Sequence, residues 1–301
     1  MKRIVFLLLL AVVSFLEAAP GGLEMYAPRN SFLVIGADFG QLRDNAIFLE
    51  LERNGKIWSN ENDSEIAEYF KILKINPAKD VRSFIFSRYL NSYGSSGRLH
   101  VFDLTRDVSG ALQSKTSTKY LGVELYRLVP DADMYAAVLS STTLALGTLN
   151  EVKMGVDLSR AKVERMASNV ELNALFQKLP PDSAIWGVAI PLSRRQAAAV
   201  RAKQSTNAIL QGLKSYHFYG IPTKTEVKSH FFGQTEDAKQ ATLLNGFMIG
   251  ILTIAKMKVD EPIADMLDQV NLEHNGNTLH VSAVITKQLV DAYLRGELGV
   301  E

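Results

Sequence analysis

Two stretches of this sequence share one grammar, and together they set the plan of the chain. Ala27 to Asp38, APRNSFLVIGAD, and Leu179 to Pro191, LPPDSAIWGVAIP, each place a proline before a small polar pair, Asn30-Ser31 or Asp182-Ser183, and then an apolar run too short for a helix. Proline fixes an extended lead-in, the polar pair ends a turn, and an apolar run of this length bounded by such signals is a buried strand. The chain therefore reads as one unit written twice. A second correspondence agrees: Thr105 to Ala111 and Thr235 to Ala241, TRDVSGA and TEDAKQA, lie 130 positions apart, and His100 and His230 keep that spacing. Ser31 and Ser183 are 152 apart, so the first copy carries 22 more residues, which matches the loop and helix from Asn54 to Lys74. Each copy is expected to run β-α-β-β-α-β, the ferredoxin-like order, plus one strand and one helix. The expected fold is α+β, two tandem repeats, each an antiparallel sheet with helices on one face. The repeats span residues 28–158 and 180–296, with a linker helix over 159–179 capped by Asn169.

Within the first copy, the periodicity predicts a strand over Phe32 to Ala37 and a helix over Gln41 to Glu52 that buries Leu42, Ile47 and Leu51. A second helix, capped by Asn62, buries Ile66, Tyr69, Phe70 and Leu73. Strands follow over Arg82 to Tyr89 and Arg98 to Leu104, then a helix over Thr105 to Ser114. A hairpin of Tyr120 to Val129 with Tyr135 to Gly147 and a helix over Leu149 to Leu158 close this copy. In the second copy a strand over Ala184 to Ile190 leads to a helix capped by Ser193, then to strands Ser215 to Tyr219 and Glu226 to Gly233. A long helix over Thr235 to Met257 and a short one over Pro262 to Asp268 precede a hairpin around Asn275-Gly276-Asn277, and Lys287 to Leu294 is the last helix.

The N-terminus, MKRIVFLLLLAVVSFLEAAP, has Lys2 and Arg3 before the apolar run Ile4 to Leu16 and small residues at Ala18 and Ala19, the layout of a secretory signal peptide over residues 1–18 cleaved near Ala18. An uncleaved anchor is disfavoured, because 13 apolar residues fall short of the roughly 20 that span a bilayer. The expected location is therefore periplasmic or secreted. The chain has no cysteine, which excludes a disulfide framework, thiolate metal sites and a cysteine nucleophile. Without Lys2, Arg3 and Glu17 it carries 31 basic and 31 acidic residues, a balance that argues against nucleic acid as a partner.

The paired units, the stretch TKYLGVELYRL at 118–128 and the stretch MASNVELNALFQKLPPDSAIW at 166–186 resemble exported bacterial proteins of uncharacterised function. The resemblance covers nearly all of the chain after its signal and implies an envelope setting. It brings no activity and no functional residues.

Few constellations carry chemistry. His217, His230 and His280 fall on three strands of the second copy, where neighbours on one face would come within reach of a shared metal, yet the spacing matches no metal motif and sheet histidines are the expected reading. No cofactor is expected. Asp260, Glu261, Asp265 and Asp268 make an acidic face without the glycine and terminal glutamate of a calcium loop. Tyr93-Gly94-Ser95-Ser96-Gly97 joins two strands, so it is a hairpin tip and no phosphate cradle. Arg194, Arg195, Arg201 and Lys203 have no interleaved aromatics for stacking on bases. Leu243 to Met257, LLNGFMIGILTIAKM, is the most apolar stretch after the signal, with Gly246 and Gly250 in small-xxx-small spacing. At fifteen residues containing Asn245, Thr253 and Lys256 it is expected to be a core helix packed on a sheet, not a transmembrane segment. The function expected is that of an exported, non-enzymatic binding protein of the cell envelope with a protein or apolar small-molecule partner. The alternatives are a carrier of a lipid or other apolar ligand in a sheet-helix cleft, and a hydrolase in which a histidine meets a serine or carboxylate.

Overall fold

The structure is a computed structural model and describes residues 22–54, 64–91, 95–192, 212–257 and 259–295. The strands are β1 Ser31–Asp38, β2 Val81–Leu90, β3 Ser96–Leu104, β4 Thr116–Tyr120, β5 Val123–Arg127, β6 Tyr135–Val138, β7 Thr143–Gly147, β8 Ile185–Ala189, β9 Ser215–Pro222, β10 Glu226–Gln234, β11 Asn271–Asn275 and β12 Thr278–Thr286. They form a single sheet in the order β11-β12-β10-β9-β8-β1-β2-β3-β7-β6-β5-β4. The two proline-led strands, β1 and β8, meet at its middle, with Leu33 opposite Ala189 and Ile35 opposite Gly187. Gly36 makes this seam possible. A Cβ there would lie 2.4 Å from the Trp186 ring, so the glycine is what lets the indole lie across the sheet. Trp186 is fully buried and meets Phe176 edge to face at 5.1 Å.

The α+β class is as expected, but the ferredoxin-like order and the division into two sheets do not describe this chain. A ferredoxin-like unit uses its helices to cross over to a parallel neighbour. Here the helices Ala46–Arg53 and Ser64–Leu73 return the chain from β1 to β2, its antiparallel neighbour, and every recorded pairing is antiparallel. Nor do the helices keep to one face. The front face, which carries Ile35, Phe84, Phe102, Phe218 and Ile285, is covered by helices 46–53, 64–73, Glu261–Asp268 and Lys287–Leu294. The back face, which carries Val34, Val101, Trp186 and Val188, is covered by helices Leu149–Ser159 and Val170–Phe176. The central strands are apolar on both sides, so both sides need cover.

Four local expectations shift for identifiable reasons. The helix expected over 41–52 breaks at Asn45, whose side chain accepts from the amides of Ile47 and Phe48 at 2.9 and 3.2 Å and so starts a new helix. The helix expected over 105–114 shrinks to Ser109–Leu112. The strand expected to begin at Tyr120 is preceded by another, β4, and the two join through Leu121 and Gly122 at φ 48° and 80°. Leucine seldom adopts positive φ, so the turn left no signal. The strand expected over 135–147 folds back at Ser140, whose hydroxyl accepts from the Thr143 amide at 3.0 Å. The segment 159–179 packs into the back core through Met166 and Leu172, and Asn169 does cap its helix, accepting from the Leu172 amide at 3.1 Å.

The front core unites both parts of the chain, because Phe48 and Leu51 share it with Leu267, Ile285, Leu289 and Val290. Polar ties run alongside. Asn45 Nδ2 donates to the carbonyls of Thr223 and Glu226 at 2.7 and 3.1 Å, and Lys287 pairs with Glu50 at 3.1 Å.

Candidate functional site

The three histidines singled out from the sequence lie together on the back face. Val188 of β8 opposes His217, His217 opposes Phe232, and Phe232 opposes His280, so these side chains stand in one row across β8, β9, β10 and β12. The rings stack nearly parallel: His217 on Phe232 at 4.8 Å, Phe232 on His280 at 4.3 Å. Tyr219 stacks on His230 at 4.9 Å in the next row. His230 Nδ1 is 3.1 Å from His280 Nε2, and His280 Nδ1 is 2.8 Å from Glu273 Oε1. With both imidazoles neutral, His280 Nδ1–H donates to the carboxylate and accepts from His230 Nδ1–H at its other nitrogen.

Burial, with Lys178 and His280 as further causes, pushes His217 down to about 4, and burial together with His280 and Lys228 lowers His230. His217 and His230 are therefore neutral near pH 7. The arrangement can relay a proton and offers flat apolar faces, and the described residues hold no group of three His, Asp or Glu placed to bind an ion. Nor does it form a nucleophilic triad among the described residues. Histidine meets a carboxylate here but hydrogen-bonds no serine hydroxyl, and the strand amides that would make an oxyanion hole are spent in the sheet. Phe232, Tyr219 and Glu273 went unnoticed in the sequence. The signal for Tyr219 and Phe232 is the two-residue alternation 217, 219 and 230, 232 across paired strands, and Glu273 is placed only by the pairing of β11 with β12.

The other singled-out features are separate from this row. Asp260, Glu261, Asp265 and Asp268 are exposed, and Asp268 pairs with Lys256. Residues 1–18, Asn62, Tyr93 and Gly94, the helix expected after Ser193, and the basic side chains Arg194, Arg195, Arg201 and Lys203 lie outside the described residues.

The long helix overturns its expected role as a core helix. Ala238–Lys256 begins at Asp237, whose carboxylate accepts from the Gln240 amide at 2.8 Å, and touches the sheet with only one flank, chiefly Ala241, Met248 and Ile251. Leu243, Phe247, Ile249, Ile254 and Met257 are exposed, and a Cβ added at Gly246 or Gly250 would meet nothing within 4 Å. Positions 243, 247, 250, 254 and 257 follow the 4-3-4-3 spacing of one helical face. At 19 residues the helix is long and apolar enough to cross a membrane by length and composition.

No family model and no curated protein matches this sequence. Solved structures of TP0453 are similar over nearly the whole length of both chains. Crystal form III is 10% identical with a TM-score of 0.47, covering 90% of this chain and 96% of that one. Crystal form I is 12% identical with a TM-score of 0.42, covering 93% and 98%, and form IV is 9% identical with a TM-score of 0.45, covering 92% and 96%. Likeness at this level does not bear on function.

Proposed function

We propose that this chain is an exported, non-enzymatic interaction protein of the bacterial cell envelope, and that its contact surface is the outward stripe of helix 238–256. The observation that carries this reading is the exposure of Leu243, Phe247, Ile254 and Met257 along one face of a single helix. Such a patch amounts to several hundred Å², the size at which exposed apolar surface marks a contact site. The partner we commit to is the same helix of a second copy. Gly246 and Gly250 let two backbones approach closely, none of positions 243, 247, 250, 254 and 257 is charged, and two such patches face to face would bury roughly 1,000 Å², the lower bound for a specific interface. A lipid surface fits less well. A helix lying on anionic lipid wants basic residues along its rim, whereas the adjoining helix sets exposed Asp260, Glu261, Asp265 and Asp268 beside this one.

Light scattering on the purified protein at about 50 µM tests the pairing. The expected result is a dimer for the native chain and a monomer for Phe247→Glu. A native monomer overturns the reading, and co-flotation of that monomer with phosphatidylglycerol vesicles would assign the stripe to membrane instead.

Two further parts of the proposal concern origin and location. The order outward from the seam, β1-β2-β3-β7-β6, is matched by β8-β9-β10-β12-β11, which supports descent from a duplicated unit. Export rests on the layout of residues 1–18, and N-terminal sequencing of protein from the periplasm or medium should begin near Ala19.

A further inference from the structure

The front face has a row of polar side chains at the central seam that none of the features above uses. Arg98, Arg88, Leu33, Ala189 and Tyr216 stand in one row across β3, β2, β1, β8 and β9. The adjacent row is His100, Phe86, Ile35, Gly187, Phe218 and Phe231. Over the seam the floor is low, because Ala189 is small and the Phe218 ring lies across Gly187, where a Cβ would sit 2.3 Å from it. Longer side chains rise on either side. Tyr216 stacks on Phe231 at 5.6 Å, and His100 stacks on Phe86 at 4.8 Å.

Arg88 is out of place in such a setting. Its guanidinium is half-buried, lies 5.4 Å from the centre of the Phe32 ring, and leaves Nε sealed from solvent without a hydrogen bond. Among the described residues no carboxylate pairs with it, while Arg98 adds a like charge nearby, and burial and Arg98 together lower its pKa. An arginine taken out of water normally recovers its hydration loss from an anion. The neighbouring groups are donors in their neutral forms. Burial pushes the Tyr216 phenol up to about 12, so it keeps its proton, and pushes His100 down to about 3, so its imidazole is uncharged; His100 Nδ1 is likewise buried without a partner.

We propose that this row binds an anionic amphiphile, with a carboxylate or phosphate head on the Arg88 guanidinium and the Tyr216 hydroxyl and an acyl chain along Leu33, Phe86, Phe218 and Phe231. The site shares no residue with the outward stripe at 243, 247, 250, 254 and 257, while Ala241 and Leu244 on the inward flank of the same helix pack beside Tyr216 and Phe231. Free fatty acids and phospholipid heads both present this chemistry. Calorimetric titration with dodecanoate, dodecyl phosphate and dodecanol separates them. Both charged probes should bind, at least one of them tenfold or more tighter than the alcohol, and the tighter of the two names the source, fatty acid for dodecanoate and phospholipid for dodecyl phosphate. Arg88→Met should erase the preference for charge, Tyr216→Phe should weaken it several-fold, and Phe247→Glu should leave it intact. Equal binding of acid and alcohol by the native protein, or failure of all three probes to bind, overturns the proposal without recourse to any variant. A folded Arg88→Met protein that still prefers the acid overturns it equally.

Discussion

Acid should destabilise this protein through His217, and the size of the effect follows from its position. His217 is 8% exposed, lies flat on Phe232, and has Lys178 and His280 as its charged or chargeable neighbours, all of which disfavour the imidazolium. Its folded pKa of about 4 is below the 6.5 of an unfolded chain, so between those values the unfolded state holds the proton and the folded state does not. Stability is therefore complete above pH 6.5 and falls as pH drops towards 4. At 1.36 kcal/mol per unit the loss attributable to this ring is about 2 kcal/mol by pH 5 and about 3 kcal/mol at pH 4, a large share of a typical 5 to 15 kcal/mol. Urea melts of the native chain and of His217→Phe at pH 7.5, 6, 5 and 4 isolate the effect, because His100 and the carboxylates contribute to both. The stability advantage of the native chain over the variant should shrink by about 2 kcal/mol between pH 7.5 and 5. An advantage that stays constant over that range refutes the reasoning.

Trp186→Ala should cost about 3 to 5 kcal/mol, since the indole is fully buried over Gly36; Pro181→Ala, at an exposed turn position, should cost under about 1 kcal/mol in the same denaturant series. Asn45→Ala removes a helix cap and two bonds to the β9–β10 turn, and a loss of about 2 to 3 kcal/mol is expected; a loss under about 0.5 kcal/mol would mean that this tie between the two ends of the chain contributes nothing. Elemental analysis should find no stoichiometric zinc, because His230 and His280 already spend ring nitrogens on each other and on Glu273; one zinc per chain, lost in His230→Ala, would contradict that.

The sequence disclosed strands where local signals were complete. The proline-led runs became β1 and β8, the Asn275-Gly276-Asn277 turn joined β11 to β12, and the final helix begins and ends where its periodicity placed it. It also placed His217, His230 and His280 on three strands of one part of the chain, while their sharing one face follows from the register of those strands. What stayed hidden depends on distant pairing. Nothing in either proline-led run says that the two strands are each other's neighbours, and Gly36 acquires its meaning only once Trp186 lies over it. The long helix misled for a related reason: composition reports how apolar a segment is, not whether enough sheet remains to cover it. Arg88 was silent too, since an arginine in a strand is ordinary until it is known that no carboxylate among the described residues pairs with it.

The absence of cysteine allows a direct test of helix pairing. Gly250 lies midway between Leu243 and Met257, so in a symmetric pair it faces its own copy whether the helices run parallel or antiparallel, and its surroundings leave room for a side chain. Gly250→Cys, oxidised at about 50 µM, should give a covalent dimer much faster than Leu121→Cys, an exposed control at the β4–β5 turn near the far edge of the sheet. Cross-linking at position 250 no faster than at position 121 would contradict the claim that this helix is the contact surface.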